Sequence, residues 1–276
     1  MQCVLSDELL VQLLEQDVPY GDLTTDLLLD PRQQVAMLFS ARQAMTLCAI
    51  EEVARLCAIR GADVQLLAES GQQVAAGHAL LRVVGQSAQL FALWKVSQIV
   101  LEWASGIASA THDLVTAAAP VPVVCTRKQA PFTKALSVKA VRAGGGAIHR
   151  LGLSESILLF AEHRQFLSAE PEAILQSLLL RAPEQRRVVE VHDLTDAKRW
   201  ARAGAEVLQM DKFTPEQVRA CADFCAELGL PVVLAAAGGV TLANACDYVA
   251  AGAKLLVTSA PYHAKPMDVQ VTFSAV

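Results

Sequence analysis

The chain has 276 residues, 53% of them hydrophobic, and a formal net charge of -5, enough apolar material for one large α/β domain or two modest ones. Its apolar runs stay far below the roughly 18 residues a membrane span needs, and the N-terminus has no charged start followed by an apolar signal core, so the expectation is a soluble protein. Seven cysteines, odd in number and without a C-x-x-C pair, argue against a disulfide framework or a thiolate zinc site and suit reduced thiols in the cytoplasm.

In chain order, "SDELLVQLLEQD" predicts an amphipathic helix with Ser6 as N-cap and Leu9, Leu10, Leu13 and Leu14 on one face. After the turn "VPYGD" come the strand-like pieces "VAMLFSA", "VQLLAESG" and "HALLRVVG", with a helix around "CAIEEVARLCAI". "SAQLFALWKVSQIVLEWASG" predicts another helix. Beyond it, short apolar strands alternate with helices: "VPVVC", "SILLF", "RVVEVH", "EVLQM", "PVVLA" and "KLLVTS". Continuous Val, Leu and Ile content argues for parallel strands buried on both faces, in a barrel or a doubly wound sheet.

A weak repeat favours the barrel. "WARAGAEVLQM" and "YVAAGAKLLVTS" each end a helix at A-G-A, with Gly204 and Gly252 suited to the left-handed position that stops it. In "QVRACADFCAEL", Cys221 and Cys225 alternate with Val218, Phe224 and Leu228 as small core residues rather than as metal ligands.

Polar residues gather just after the strands, where barrels carry their chemistry. Thr126, Arg127 and Lys128 follow one strand; Glu190 sits in another; Asp211 and Lys212, Gly238 and Gly239, and "APYH" follow three more. Cations, two carboxylates and a Gly-Gly turn offering N–H groups are the parts needed to hold a polyanion with a divalent cation. From Cys125 to Arg150 there are six Lys or Arg and no acid. Lys134, Lys139 and Arg142 read as a solvated helix face. Three consecutive glycines at 144–146 read as a close approach of backbone to a ligand, with His149 and Arg150 placed beside it. The basic residues are not interleaved with aromatics, so nucleic-acid binding is not expected.

"TRK" at 126–128, "AVRAGGGAIHRLGLSES" at 140–156, Glu190, Asp211, "AAGGV" at 236–240 and "HA" at 263–264 resemble, in this order, the quinolinate phosphoribosyltransferase family. "YGDLTTDLL" and "ASGIASAT" match its pattern too. The resemblance implies an N-terminal α/β sandwich domain over 1–103, rejoined by the tail 266–276, and an incomplete (β/α) barrel over 104–265. It implies phosphoribosyl transfer from phosphoribosyl pyrophosphate to a ring nitrogen, with Mg²⁺ and release of pyrophosphate, in a homodimer or higher oligomer with shared active sites.

Carried over by motif, Arg127, Lys128, His149 and Arg150 meet the pyrophosphate and the acceptor's carboxylates, and Glu190 and Asp211 hold the ribose hydroxyls and the metal. Gly238, Gly239, Ser259 and His263 complete the substrate contacts. The departures cluster on the acceptor. The family's acceptor-binding lysine falls on Phe160, its partner-donated arginine on Lys95, a Glu and a Ser on Ala235 and Ala237, and a glycine on Ser259. Loss of that lysine points to a small aromatic or heteroaromatic acceptor other than quinolinate. The pattern is similar to the ModD branch, pyrophosphorylases associated with molybdenum transport. Quinolinate itself as acceptor, and a non-catalytic phosphate-ligand binder in molybdenum uptake, are the alternative readings.

Overall fold

The computed structural model describes Met1–Val276, which divides into two compact units: Met1–His112 with Gln129–Gly145 and Pro261–Val276, and Asp113–Lys128 with Gly146–Ala260. No helix is long and apolar enough to cross a membrane.

The first unit opens with α1 (Asp7–Glu15), capped by Ser6, whose Oγ accepts from Leu9 N. Leu10 and Leu14 are buried whereas Leu9 is 51% exposed, so the apolar face is narrower than the pattern suggests. Then follow α2 (Leu23–Leu28), β1 (Gln34–Ala41), β2 (Met45–Thr46), α3 (Ile50–Ile59), β3 (Asp63–Leu66), β4 (Gln73–Val74) and β5 (Ala79–Gln86). The long helix α4 (Ser87–Ala118) runs from this unit into the second. β1 takes the centre of an antiparallel sheet, paired on one side with β5, which pairs with β3, and on the other with the C-terminal strand Val269–Ala275. Alternation along β1 and β5 buries Met37, Phe39, Leu81 and Val83. Phe273 of the C-terminal strand stacks on Phe91 of α4 at 4.4 Å, with Trp94 edge-on at 5.4 Å.

The helix α5 (Lys134–Ala143) belongs to this unit by its contacts. Its Lys139 is not on a solvated face: the residue is 2% exposed, and Nζ pairs with Glu51 Oε2 at 2.7 Å and Glu52 Oε2 at 2.5 Å. The basic pattern misleads because α3 supplies the buried Glu52 and the partly buried Glu51, which no local period reveals. The glycine triplet also has a structural cause. Gly145, at φ 83°, is the left-handed residue that ends α5. A Cβ on Gly144 would collide with Ala108 O and meet Thr111 Cβ at 2.6 Å. These two glycines terminate and pack a helix rather than approach a ligand.

The second unit contains β6 (Val123–Cys125), β7 (Ala147–Ile148), β8 (Leu158–Leu159), α6 (Ala161–Arg164), α7 (Pro171–Arg181), β9 (Val188–Val191) and α8 (Leu194–Arg202), then β10 (Val207–Asp211), α9 (Pro215–Glu227), β11 (Val233–Ala237), α10 (Ala245–Ala250) and β12 (Leu255–Thr258). All seven strands are parallel, in the order β7-β6-β12-β11-β10-β9-β8. Every strand pairs with its sequence neighbour and β12 pairs with β6, so the order closes on itself except between β7 and β8. A doubly wound sheet would reverse direction at a switch point. This is a barrel with one rung open.

The A-G-A repeat is a helix stop used twice. Gly204 N donates to Ala201 O and Ala205 N to Trp200 O; Gly252 N donates to Val249 O and Ala253 N to Tyr248 O. Cys221 and Cys225 are buried in the core around Leu208, Met210 and Phe213, and burial pushes the Cys221 thiol up to about 12.

Candidate active site

The strand exits of the second unit enclose a cavity of about 490 Å³, within the range of small-molecule sites. Backbone pairing continues past the strand ends and sets the exits at one level. His149 N donates to Cys125 O at 2.9 Å, Thr126 N to Thr258 O at 2.8 Å, and Lys212 N to Ala237 O at 2.8 Å. Gly238 and Gly239 turn the chain with φ 77° and 96°. A Cβ on Gly238 would collide with the Asp211 carboxylate and stand 2.7 Å from Lys212 N, so glycine is required for the Asp211 side chain to sit where it does. Thr258 Oγ1 donates to Val240 O at 2.7 Å and accepts from Ala260 N at 3.0 Å, tying the β11 and β12 exits together.

One wall is cationic. Arg127 and Lys128 follow β6, and His149 and Arg150 follow β7. No carboxylate pairs with Arg127, Lys128 or Arg150, although Arg150 is only 6% exposed. Burial and the charges of Arg150 and Arg127 hold the His149 imidazole below its usual range, so it is neutral at neutral pH. Burial and the Arg127 charge likewise lower Arg150. This is an uncompensated positive field in a concave site.

The other wall is acidic. Burial raises the Glu190 carboxyl; a hydrogen bond from Gln209 Nε2, at 2.7 Å, opposes the rise, and the Asp211 charge adds to it. His192 lies 3.7 Å from both carboxylates, Nε2 facing Glu190 Oε1 and Nδ1 facing Asp211 Oδ2. Arg164 Nη1 donates to both Asp196 oxygens at 2.8 Å while Nη2 donates to Glu190 O at 3.1 Å, anchoring the backbone under the carboxylate. No three His, Cys, Asp or Glu side chains converge on a metal position. The donor set is two carboxylates, which suits a hard cation keeping water or phosphate ligands rather than a protein-only cage.

Phe160, at the β8 exit, lines the cavity, with the Arg150 Cζ 5.5 Å from its ring centroid and the His163 ring at 5.7 Å. Ser259 lines it after β12. Ten of the twelve residues singled out in the sequence thus line one cavity, and Lys95 and His263 do not. Both belong to the first unit. Lys95 caps the Trp94 ring at 4.3 Å and lines a separate cavity of that unit beside Asp22, Leu23 and Leu28. Sequence reasoning missed Gln209, His192 and Arg164. Gln209 had a usable signal, a polar side chain inside the apolar run "VLQM"; Arg164 had none.

Fold and site together define an α/β-barrel enzyme that holds an anionic substrate at its strand exits. The chain matches the family profiles of the quinolinate phosphoribosyl transferase C-terminal domain over residues 107–272 and its N-terminal domain over 22–105. A protein of Rhodobacter capsulatus described as "Putative pyrophosphorylase ModD" is 47% identical over 88% of this chain and 95% of its own length. One of the same description from Pasteurella multocida is 37% identical over 96% of both. The crystal structure of NadC from Streptococcus pyogenes covers 98% of this chain and 96% of its own with a TM-score of 0.88; at 24% identity that likeness speaks for the fold. The chain belongs to the quinolinate phosphoribosyltransferase family, in its ModD branch, and is a phosphoribosyltransferase of the pyrophosphate-releasing kind.

Proposed function

We propose that this protein transfers the phosphoribosyl group of phosphoribosyl pyrophosphate, with Mg²⁺, to a ring nitrogen of a small aromatic or heteroaromatic acceptor carrying fewer carboxylates than quinolinate. The observation that carries this reading is the set of cations without carboxylate partners, Arg127, Lys128 and Arg150, around one cavity. Cleavage of the bond from the anomeric carbon to pyrophosphate develops positive charge on the ribose and negative charge on the leaving group. Lys128 and Arg127 stabilise the departing pyrophosphate, assisted by N–H groups of the Gly238-Gly239 turn. Arg150 and neutral His149 hold the acceptor's carboxylate and ring. Glu190 and Asp211 accept from the ribose hydroxyls and hold the metal through water or substrate oxygens. The cation, when bound, neutralises charge that builds on the pyrophosphate oxygens.

Phe160 on the cavity wall supports an acceptor other than quinolinate, because an aromatic ring offers stacking where a second carboxylate needs a charge. Exposed Tyr20, Leu23, Leu27 and Leu28 support a dimer or higher oligomer, with Lys95 as the cation lent to a partner's site. Buried free thiols suit the cytoplasm, and the likeness to ModD proteins suits a role beside molybdenum transport.

Calorimetry of phosphoribosyl pyrophosphate with and without Mg²⁺, followed by a pyrophosphate-release screen of aromatic acids, tests the reading. Binding is expected to need Mg²⁺ and to weaken when Glu190 and Asp211 are both replaced by Ala; unchanged affinity in that variant removes the metal assignment.

A further inference from the structure

Gln209 lies inside β10, is 7% exposed and lines the cavity. Its Nε2 donates to Glu190 Oε2 at 2.7 Å. That bond fixes the amide's orientation, since the reversed amide would set two acceptor oxygens against each other. The Gln209 Oε1 is then buried with no hydrogen-bond partner. A buried acceptor without a donor loses its hydration and gains nothing in return, so it calls for an explanation.

The protein offers that atom no donor from within the barrel. Gln209 stands opposite Ala235 on β11, which belongs to an apolar cluster with Val124, Val207, Ala237 and Val257. Phe160 and Leu158 close the same cavity. Gln209 thus sets a neutral polar group against small and apolar neighbours; its Nε2 is taken by Glu190, and a bound molecule is what can complete its Oε1.

Building on the phosphoribosyl-transfer reading, we propose that Gln209 is a specificity-determining residue for the acceptor. Its Oε1 accepts a hydrogen bond from an amino, amide, hydroxyl or ring N–H group, so the acceptor is a heteroaromatic compound carrying one such donor beside its carboxylate. Arg150 then holds the single carboxylate, the Phe160 ring stacks on the acceptor's face, and Gln209 rejects rings whose edge presents only acceptor atoms. Sites built to pair a donor discriminate against analogues lacking it far more strongly than apolar pockets discriminate by size. A ribose hydroxyl of phosphoribosyl pyrophosphate is the other possible donor, and the test separates the two.

Calorimetry on the full chain with Mg²⁺ compares pyridine-3-carboxylate with its 2-amino and 6-amino derivatives, and benzoate with 2-aminobenzoate and 3-hydroxybenzoate. In the wild type at least one donor-bearing probe is expected to bind tenfold or more tightly than its parent. Gln209→Met, similar in length but unable to accept this bond, is expected to abolish that ratio; phosphoribosyl pyrophosphate binding is read separately, because the variant also removes the Nε2 bond to Glu190. A ratio near one in the wild type, a ratio that survives in Gln209→Met, or no binding by any probe overturns the proposal and leaves phosphoribosyl transfer standing. A variant that loses phosphoribosyl pyrophosphate alone, with no change in the probes, assigns the donor to ribose and also overturns it. Absence of phosphoribosyl pyrophosphate binding in the wild type removes the underlying reading as well. Should Gln209→Met fail to fold, the wild-type ratio and a crystal structure with the preferred probe decide: a probe donor farther than 3.5 Å from Gln209 Oε1 counts against the proposal.

Discussion

Phe160 shows what a single residue can decide at the mouth of a barrel. It lines the cavity at the β8 exit with the Arg150 Cζ 5.5 Å from its ring centroid, so the one buried guanidinium there faces an aromatic ring and not a second, repelling cation. Phe160→Lys is expected to raise quinolinate binding or turnover by about tenfold or more, the return on one charge pair of about 1.4 kcal/mol. Steady-state pyrophosphate release with quinolinate checks it. Equal turnover of quinolinate by wild type and variant, at the rate of the best other substrate, would promote quinolinate from alternative to first reading. The strand exit at Phe160 was legible because strand ends punctuate the sequence. Gln209 was legible only in part: one polar residue inside the apolar run "VLQM" is a signal that it matters, but it carries no sign of which face of the strand it occupies. Phe132, fully exposed in a left-handed conformation at φ 65°, was equally hidden, since backbone strain has no composition.

At the scale of elements, the parallel strands were legible and the helix packing was not. "VPVVC", "EVLQM" and "KLLVTS" are apolar throughout because both faces of a barrel strand are covered, whereas β7 is two residues inside "GGGAIHR" and too short to show a period. Charge on α5 misled for a physical reason: Lys139 joins Glu51 and Glu52 across 88 and 87 residues of sequence, and no local spacing announces that pairing. Burial alone would push the Glu51 carboxyl up, yet hydrogen bonds from Lys139 and Ser70 outweigh it and hold the carboxyl at about 2. Lys139→Met strands Glu52, which is fully buried, and is expected to cost about 3–5 kcal/mol. Chemical denaturation at pH 7 measures this, and a loss below about 1 kcal/mol, an exposed pair's worth, would show that the cluster is solvated in solution. The pH dependence has a definite sign. Because the folded pKa of Glu51 lies below its ordinary 4.5, its contribution is complete above that value and is lost as pH falls toward about 2. The wild type is therefore expected to lose stability more steeply than Lys139→Met across that window.

At the scale of the whole molecule, the candidate site residues divide between the two compact units in a way that bears on assembly. Ten candidate residues share one cavity of the barrel unit, while Lys95 stands on α4 in the other, beside Trp94 and a cavity rimmed by Leu23 and Leu28. Tyr20, Leu23, Leu27 and Leu28 are 99%, 73%, 74% and 76% exposed, a concentration of bare apolar side chains that isolated surface residues do not explain. If Lys95 serves the site of a neighbouring copy, inactivating changes in the two units must complement. Lys95→Ala and Arg127→Ala homo-oligomers are each expected to be nearly inactive. In a heterodimer formed by mixing after mild dissociation, one site carries both changes and the other carries neither. At a one-to-one ratio half the dimers are mixed and each holds one intact site of two, so activity is expected to recover to about a quarter of the wild-type level, since random pairing weights the three species one to two to one. Loss of phosphoribosyl transfer in Lys95→Ala is the precondition, read first on the homo-oligomer. Recovery separates a shared site from a Lys95 that acts within its own chain, for which every subunit of the mixture keeps its defect and activity stays at the level of the parents. Sedimentation of the same samples shows whether exchange took place. A fully active monomer at working concentration refutes the shared site outright.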